Sequence, residues 1–173
     1  MNSKDVAFAG LFAALTAVGA QISVPIGPVP FTFQVFFVLL SGLLLGARLG
    51  FLSQLTYVLV GAVGFPVFAE FSGGFAHIYG PTGGYLLAFP IAALLAGYVT
   101  EKGGESVGGM TLGVLLGLAV IYILGWIRLG FYLGGNFGKA LEVGVLPFLP
   151  LDLLKAALAV ATAKTVRKAV DVV

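Results

Sequence analysis

The sequence predicts an all-α membrane protein of six transmembrane helices with both termini in the cytoplasm. Three observations carry that expectation. Only 9% of the 173 residues are charged and 60% are hydrophobic. Soluble domains carry about 25% charged residues, so this chain lacks the polar groups to cover a wet surface. Its apolar residues also gather in runs close to the ~20 residues that a helix needs to cross a bilayer. Finally, those runs lack the ~10-residue alternation of a membrane barrel. The same composition excludes a disordered chain and, with no cysteine, a disulfide scaffold. A net charge of +2 on so few charged residues does not make a nucleic-acid surface.

The spans follow in order. Residues 6–47 contain no charge, but Pro25, Gly27, Pro28 and Pro30 break the run into 6–24 and 31–47. Residues 49–69, 78–100 and 106–127 are uncharged and give the third to fifth spans. Residues 143–163 give the sixth, interrupted only by Asp152 and Lys155. Six spans use about 120 residues, so the connections are short and residues 1–173 form a single domain. The first run is read as a span and not a cleavable signal, because it is long for a signal core and no separate mature domain follows. Lys4, Arg48, Lys102, Lys164, Arg167 and Lys168 fall on one side, and Arg128 and Lys139 on the other. That bias places both termini in the cytoplasm.

Small residues recur every fourth position: Ala9, Ala13 and Ala17; Gly84, Ala88, Ala92 and Ala96; Gly109, Gly113 and Gly117. Each series lies on one helix face. In lipid, close backbone approach replaces the hydrophobic effect as the force that joins helices. For the fourth and fifth spans the expected role is packing within the bundle. For the first span, packing and docking to another membrane subunit both fit.

Asp152 and Lys155 would each cost roughly 2.5–3.5 kcal/mol at the bilayer centre. Their i, i+3 spacing puts both on one face, which continues through Ala156, Ala159 and Ala163. One reading is a self-satisfied ion pair with Lys155 snorkelling outward and Asp152 favoured by the helix N-terminus. The other is a pocket floor, with Lys155 facing an anionic group and Asp152 accepting from ligand N–H groups. The outer connections 24–32 and 68–83 support a pocket. The first is stiffened by prolines and followed by Gln34; the second holds Glu70, His77, Gly83, Gly84 and Tyr85. Glycines allow close backbone approach to a ligand, and Phe31, Phe33, Phe71, Phe75, Tyr79 and Tyr85 supply apolar walls. His77 is the sole histidine, so no metal site is expected. No catalytic set and no phosphate-binding P-loop are present. The chain is therefore read as no enzyme, needing no cofactor; active transport would draw energy from another subunit.

Four segments resemble a known family when taken in order. They are Gly27-Pro28-Val29-Pro30-Phe31-Thr32-Phe33-Gln34, Gly64-Phe65-Pro66-Val67-Phe68-Ala69, Gly80-Pro81-Thr82-Gly83-Gly84-Tyr85-Leu86, and Leu146-Pro147-Phe148-Leu149-Pro150-Leu151-Asp152-Leu153-Leu154-Lys155-Ala156. With Tyr122-Ile123-Leu124-Gly125-Trp126, they are similar to the BioY family, the biotin-binding S components of energy-coupling factor vitamin transporters. The resemblance implies the six-helix S-component fold in the plasma membrane and an outward-facing biotin pocket. It also implies a transmembrane coupling subunit and two cytoplasmic ATPase subunits as partners. On this resemblance Lys155 meets the biotin carboxylate and Asp152 a ureido N–H. Gln34, Tyr85 and Tyr122 form polar walls, and Ala9 and Ala13 dock the coupling subunit; Glu70, which makes the outer connection more polar than the family pattern, and Gly83 and Gly84 complete the candidate biotin-binding residues. The alternatives are an S component for another vitamin and a small glycine-rich membrane enzyme. The short cytoplasmic connections 46–50 and 101–108 argue against the enzyme.

Overall fold

A computed structural model describes residues 1–170. Helix α1, Ser3–Gln21, starts at a capping box in which the Asn2 side chain accepts from the Asp5 N–H and the Asp5 carboxylate from the Asn2 N–H, both at 2.9 Å. Two short strands follow, β1 (Ser23–Val24) and β2 (Phe31–Thr32). They pair antiparallel with Ser23 opposite Thr32. The proline-rich segment between them is thus a closed flap.

Helix α2 runs Gln34–Ala62 but is interrupted at Gly46, whose backbone sits at φ 81°, ψ 178°. A straight helix would hold Gln34 and Tyr57 about 35 Å apart. Instead the Gln34 amide donates to the Tyr57 hydroxyl at 2.6 Å, so α2 doubles back on itself. The two arms meet glycine to glycine: a Cβ on Gly50 would lie 3.0 Å from the Gly42 Cα. The break strands the Leu43 carbonyl and the Ala47 N–H, and two other helices satisfy them. Arg167 donates to the Leu43 oxygen from Nε at 3.1 Å and Nη2 at 2.5 Å, and Glu101 accepts from the Ala47 N–H at 2.9 Å. An orphaned peptide group in hydrocarbon would cost several kcal/mol.

This bend falls in the expected connection 46–50, between the second and third expected spans, and only their bounds change. The arms cover 34–45 and 47–62, about 18 and 24 Å at the helical rise, and are shorter than the runs 31–47 and 49–69. The first arm loses its beginning to β2. The second ends early because Gly64 sits at φ 117° and Pro66 disfavours helix at Phe65.

After α2 come a 3₁₀ turn at Ala69–Phe71 and the one-turn helix α3, Ala76–Tyr79. Then follow α4 (Gly83–Lys102) and α5 (Val107–Tyr132), the latter continuing past its expected end through Arg128. The sixth run is divided. Helix α6 covers Phe137–Gly144, and α7 starts only at Leu149 and runs to Ala169, with a 52° bend between them. Pro147 and Pro150 explain the division, since proline suits a first helical turn and not an interior. Among the described residues, α1, α2, α4 and α5 are long and apolar enough to cross a membrane, and the bent α6–α7 pair adds a fifth such unit.

Small residues join the helices as expected for α4 and α5. A Cβ on Gly113 would lie 2.7 Å from the Ala96 oxygen, and one on Gly117 3.1 Å from the Ala92 oxygen. α1 packs on α2 through a buried polar knot: Gln54 donates to Thr16 at 3.1 Å and to Ser41 at 3.2 Å. Ala9 and Ala13 lie on this packed face, only 8% and 9% exposed. They pack α1 against the bundle and leave little surface of their own. Gly10 and Ala14 are the exposed small residues beside them.

Candidate functional site

At the end of the bundle opposite the Gly46 bend lies a cavity of about 360 Å³. The flap, the turn after α2, the first residues of α2, α4 and α7 and the second half of α5 at Ile121 and Tyr122 enclose it. Pockets that bury a small ligand occupy about 300–1,000 Å³, with mostly apolar walls and a few placed polar groups.

The polar groups start on α7. Its first turn places Asp152 where the helix N-terminus favours negative charge, and one turn later comes Lys155. The ammonium donates to Asp152 Oδ1 at 2.7 Å and to the Thr32 carbonyl of the flap at 2.5 Å, and lies 3.9 Å from the centre of the Phe31 ring. Asp152 Oδ2 accepts from the Tyr122 hydroxyl of α5. Asp152 and Lys155 are 5% and 4% exposed. The ion pair therefore forms, but Lys155 turns into the bundle and does not snorkel outward. Both members keep spare capacity. Lysine has three donors and a carboxylate about four acceptor positions, and each residue uses two here.

The other expected residues divide. Gln34 lines the cavity but works mainly as a bracket. Its Oε1 accepts from the Thr32 hydroxyl at 2.7 Å, and its amide donates to Tyr57, whose hydroxyl donates to the Val67 carbonyl at 2.9 Å. This relay ties the flap to the turn after α2. The Tyr85 hydroxyl donates to the Gly144 carbonyl at 2.6 Å, fixing the α6–α7 junction while its ring faces the cavity. Gly125 makes room for that ring, which a Cβ there would overlap. Glu70 lies at the cavity rim with φ 60°, followed by Phe71 at φ 54°.

Gly83 and Gly84 are corrected: neither lines the cavity. Both are buried, because a Cβ on Gly83 would overlap the Ile78 carbonyl and one on Gly84 the Leu124 carbonyl of α5. Four of the six expected wall aromatics are corrected too. Phe71, Phe75 and Tyr79 are exposed, Phe71 by 72%, and Phe33 stacks on Phe36. Phe68, Phe89 and Phe148 line the cavity in their place, Phe148 stacked on Phe31 at 6.3 Å.

Sequence reasoning missed Tyr57 and Gln21. Gln21 closes a two-point clamp on the turn that carries Glu70, donating to the Phe68 carbonyl at 2.9 Å and accepting from the Phe71 N–H at 2.8 Å. Both residues act over long separations, which no local motif records. The glycine series Gly42, Gly46, Gly50 was the available hint for Tyr57.

Known proteins resemble this arrangement along the full chain. The crystal structure of the S-component for biotin from an ECF-type ABC transporter superposes with a TM-score of 0.89 at 28% identity, covering 97% of this chain and 95% of that one. A probable biotin transporter BioY from Pyrococcus horikoshii is 57% identical over 164 residues, covering 95% of this chain and 96% of its own. The biotin transporter BioY from Thermotoga maritima is 48% identical over 160 residues, covering 92% and 94%. The BioY family model matches residues 1–172, and with these relatives it shows that the chain belongs to the BioY family.

Proposed function

We propose that this chain is the biotin-capturing S component of an energy-coupling factor importer. The observation that carries the reading is the buried Asp152–Lys155 pair facing an apolar cavity, in a chain whose relatives are named biotin transporters. The geometry supports a different contact between biotin and the pair. Asp152 and Lys155 stand 2.7 Å apart, so they address one end of an extended ligand. A carboxylate brought to Lys155 would also face Asp152 and be repelled. The ureido ring suits both: its carbonyl accepts from the ammonium, and the adjacent N–H donates to the carboxylate. Lys155 is thereby reassigned from the biotin carboxylate to the ureido oxygen. The valerate chain then points along the aromatic walls to the rim, where His77 and Thr82 offer donors.

The chain crosses the plasma membrane six times, α2 supplying two crossings, and both termini are cytoplasmic. The Gly46 bend and the last turns of α4 and α7 form the cytoplasmic end, where most cations gather. A transmembrane coupling subunit and two ATPases supply the energy. α1 meets the coupling subunit through its outer face at Gly10 and Ala14, backed by Ala9 and Ala13. The flap and the 68–83 connection close over biotin, and ATP hydrolysis elsewhere reorients the bundle to release it inward.

Isothermal titration of the purified protein tests the reading. Biotin gives saturable heat at micromolar concentration, and neither thiamin nor riboflavin competes. No heat with biotin, or displacement by either of the other vitamins, contradicts it.

A further inference from the structure

A second cavity lies at the other end of the bundle, beside the Gly46 bend. It is an open groove of about 470 Å³ between the second arm of α2 and α4, lined by Ala47, Arg48, Phe51, Leu52, Leu94 and Tyr98. Its floor is closed by tight backbone contact, since a Cβ on Gly97 would overlap the Ala47 nitrogen. Apart from Arg48 and the Tyr98 hydroxyl, the walls are hydrocarbon.

Two cations border this groove. Arg48 is exposed and makes no ion pair or hydrogen bond among the described residues. The Lys102 ammonium lies 5.6 Å from the centre of the Tyr98 ring. Of the acids at this end, Glu105 pairs with Arg167 at 2.5 Å, while Glu101 accepts from the Ala47 N–H at 2.9 Å beside the groove, so Arg48 and Lys102 outweigh it by one charge. An apolar trough thus ends in net positive charge, at the end where positive residues mark the cytoplasmic leaflet. That leaflet is the anionic one. Guanidinium matches phosphate bidentately, and tyrosine favours the depth of lipid headgroups.

We infer that this groove holds one anionic phospholipid, with its phosphate between Arg48 and Lys102 and one acyl chain along Phe51, Leu52 and Leu94. A lipid supplies the anion and the hydrocarbon in a single molecule, and each half of the groove matches one half of it. The site is separate from the biotin cavity and stands on its own charge and shape.

The test uses Trp126, the single tryptophan in the sequence, which packs at the opposite end on Phe137. In a Trp126→Phe/Tyr98→Trp variant the only indole sits in the groove. The variant is reconstituted in phosphatidylcholine vesicles containing brominated phosphatidylglycerol or brominated phosphatidylcholine. Phosphatidylglycerol is preferred over phosphatidylcholine by about fivefold or more, the scale of one surface cation acting on an anionic lipid. Adding Arg48→Gln and Lys102→Gln brings the ratio to about one while biotin binding persists, which shows that the variant is folded. Equal quenching by the two lipids overturns the inference, as does a preference that survives the double substitution. Suppression by soluble glycerol phosphate also overturns it, by reducing the site to a bare anion contact. Native mass spectrometry of the unsubstituted protein checks the reporter: one phosphatidylglycerol is retained, and Arg48→Gln/Lys102→Gln loses it. No retained lipid contradicts the proposal.

Discussion

Removing the Lys155 ammonium separates the two ways in which biotin can meet the pair. In Lys155→Met the side chain keeps its length and loses its donors. Asp152 stays buried with Tyr122 as its side-chain partner, and breaking a buried pair costs about 3–5 kcal/mol of stability. The companion Asp152→Asn/Lys155→Met removes both charges and recovers most of that loss, since replacing a whole buried pair is often neutral. Neither stability value reports on the ligand; a cycle with biotin methyl ester does. A charge-assisted hydrogen bond is worth about 1.5–3 kcal/mol, so Lys155→Met weakens biotin by between roughly tenfold and a hundredfold. If Lys155 holds the ureido oxygen, the substitution weakens the methyl ester by the same factor, because the ester keeps that ring. Titration calorimetry of both ligands on both proteins completes the cycle. A Lys155→Met effect that disappears with the ester would place Lys155 on the carboxylate and refute the ureido assignment. Wild-type affinity in the double variant would refute any role for the pair beyond packing.

Three further outcomes follow from the same geometry. Tyr57→Phe leaves the Gln34 amide and the Val67 carbonyl without their partner, so thermal denaturation shows a loss of about 1–3 kcal/mol and the flap releases biotin faster; unchanged stability contradicts the relay. Gln21→Ala frees the turn at 68–71, and hydrogen exchange there rises while the biotin off-rate increases more than the on-rate changes; unaltered exchange contradicts the clamp. Gly46→Ala forces a side chain into φ 81° and against the Glu101 carboxylate, destabilising the bend by about 1–3 kcal/mol, while the folded fraction binds biotin within about twofold of wild type. A large loss of affinity there would tie the bend to the pocket.

The sequence disclosed whatever rests on long uncharged runs and on the cost of charge in lipid. Asp152 and Lys155 stood out because an apolar helix has no other reason to carry them, and their spacing already put them on one face. The runs said less about where the chain reverses. Arg48 divides the stretch, and the Gly46 break falls inside the expected connection 46–50; how tightly α2 folds back there appears only in the hydrogen bonds that cross it. Helical spacing set Ala9 and Ala13 on a common face without telling which neighbour that face meets, and it meets the chain's own α2. Gly83 and Gly84 show the same ambiguity, since a glycine that admits a ligand and one that admits a helix carry the same letter. Tyr57, Gln21 and Thr32 act on the site through backbone carbonyls and long-range side-chain bonds, and these leave no pattern in the sequence.

A crystal structure of the protein grown with saturating biotin tests the central claim most directly. The expected density places the ureido oxygen within hydrogen-bonding distance of Lys155 Nζ, a ureido N–H directed at Asp152, and the carboxylate at the rim near His77 and Thr82. Biotin bound with its carboxylate at Lys155, or a cavity left empty at saturation, would contradict it.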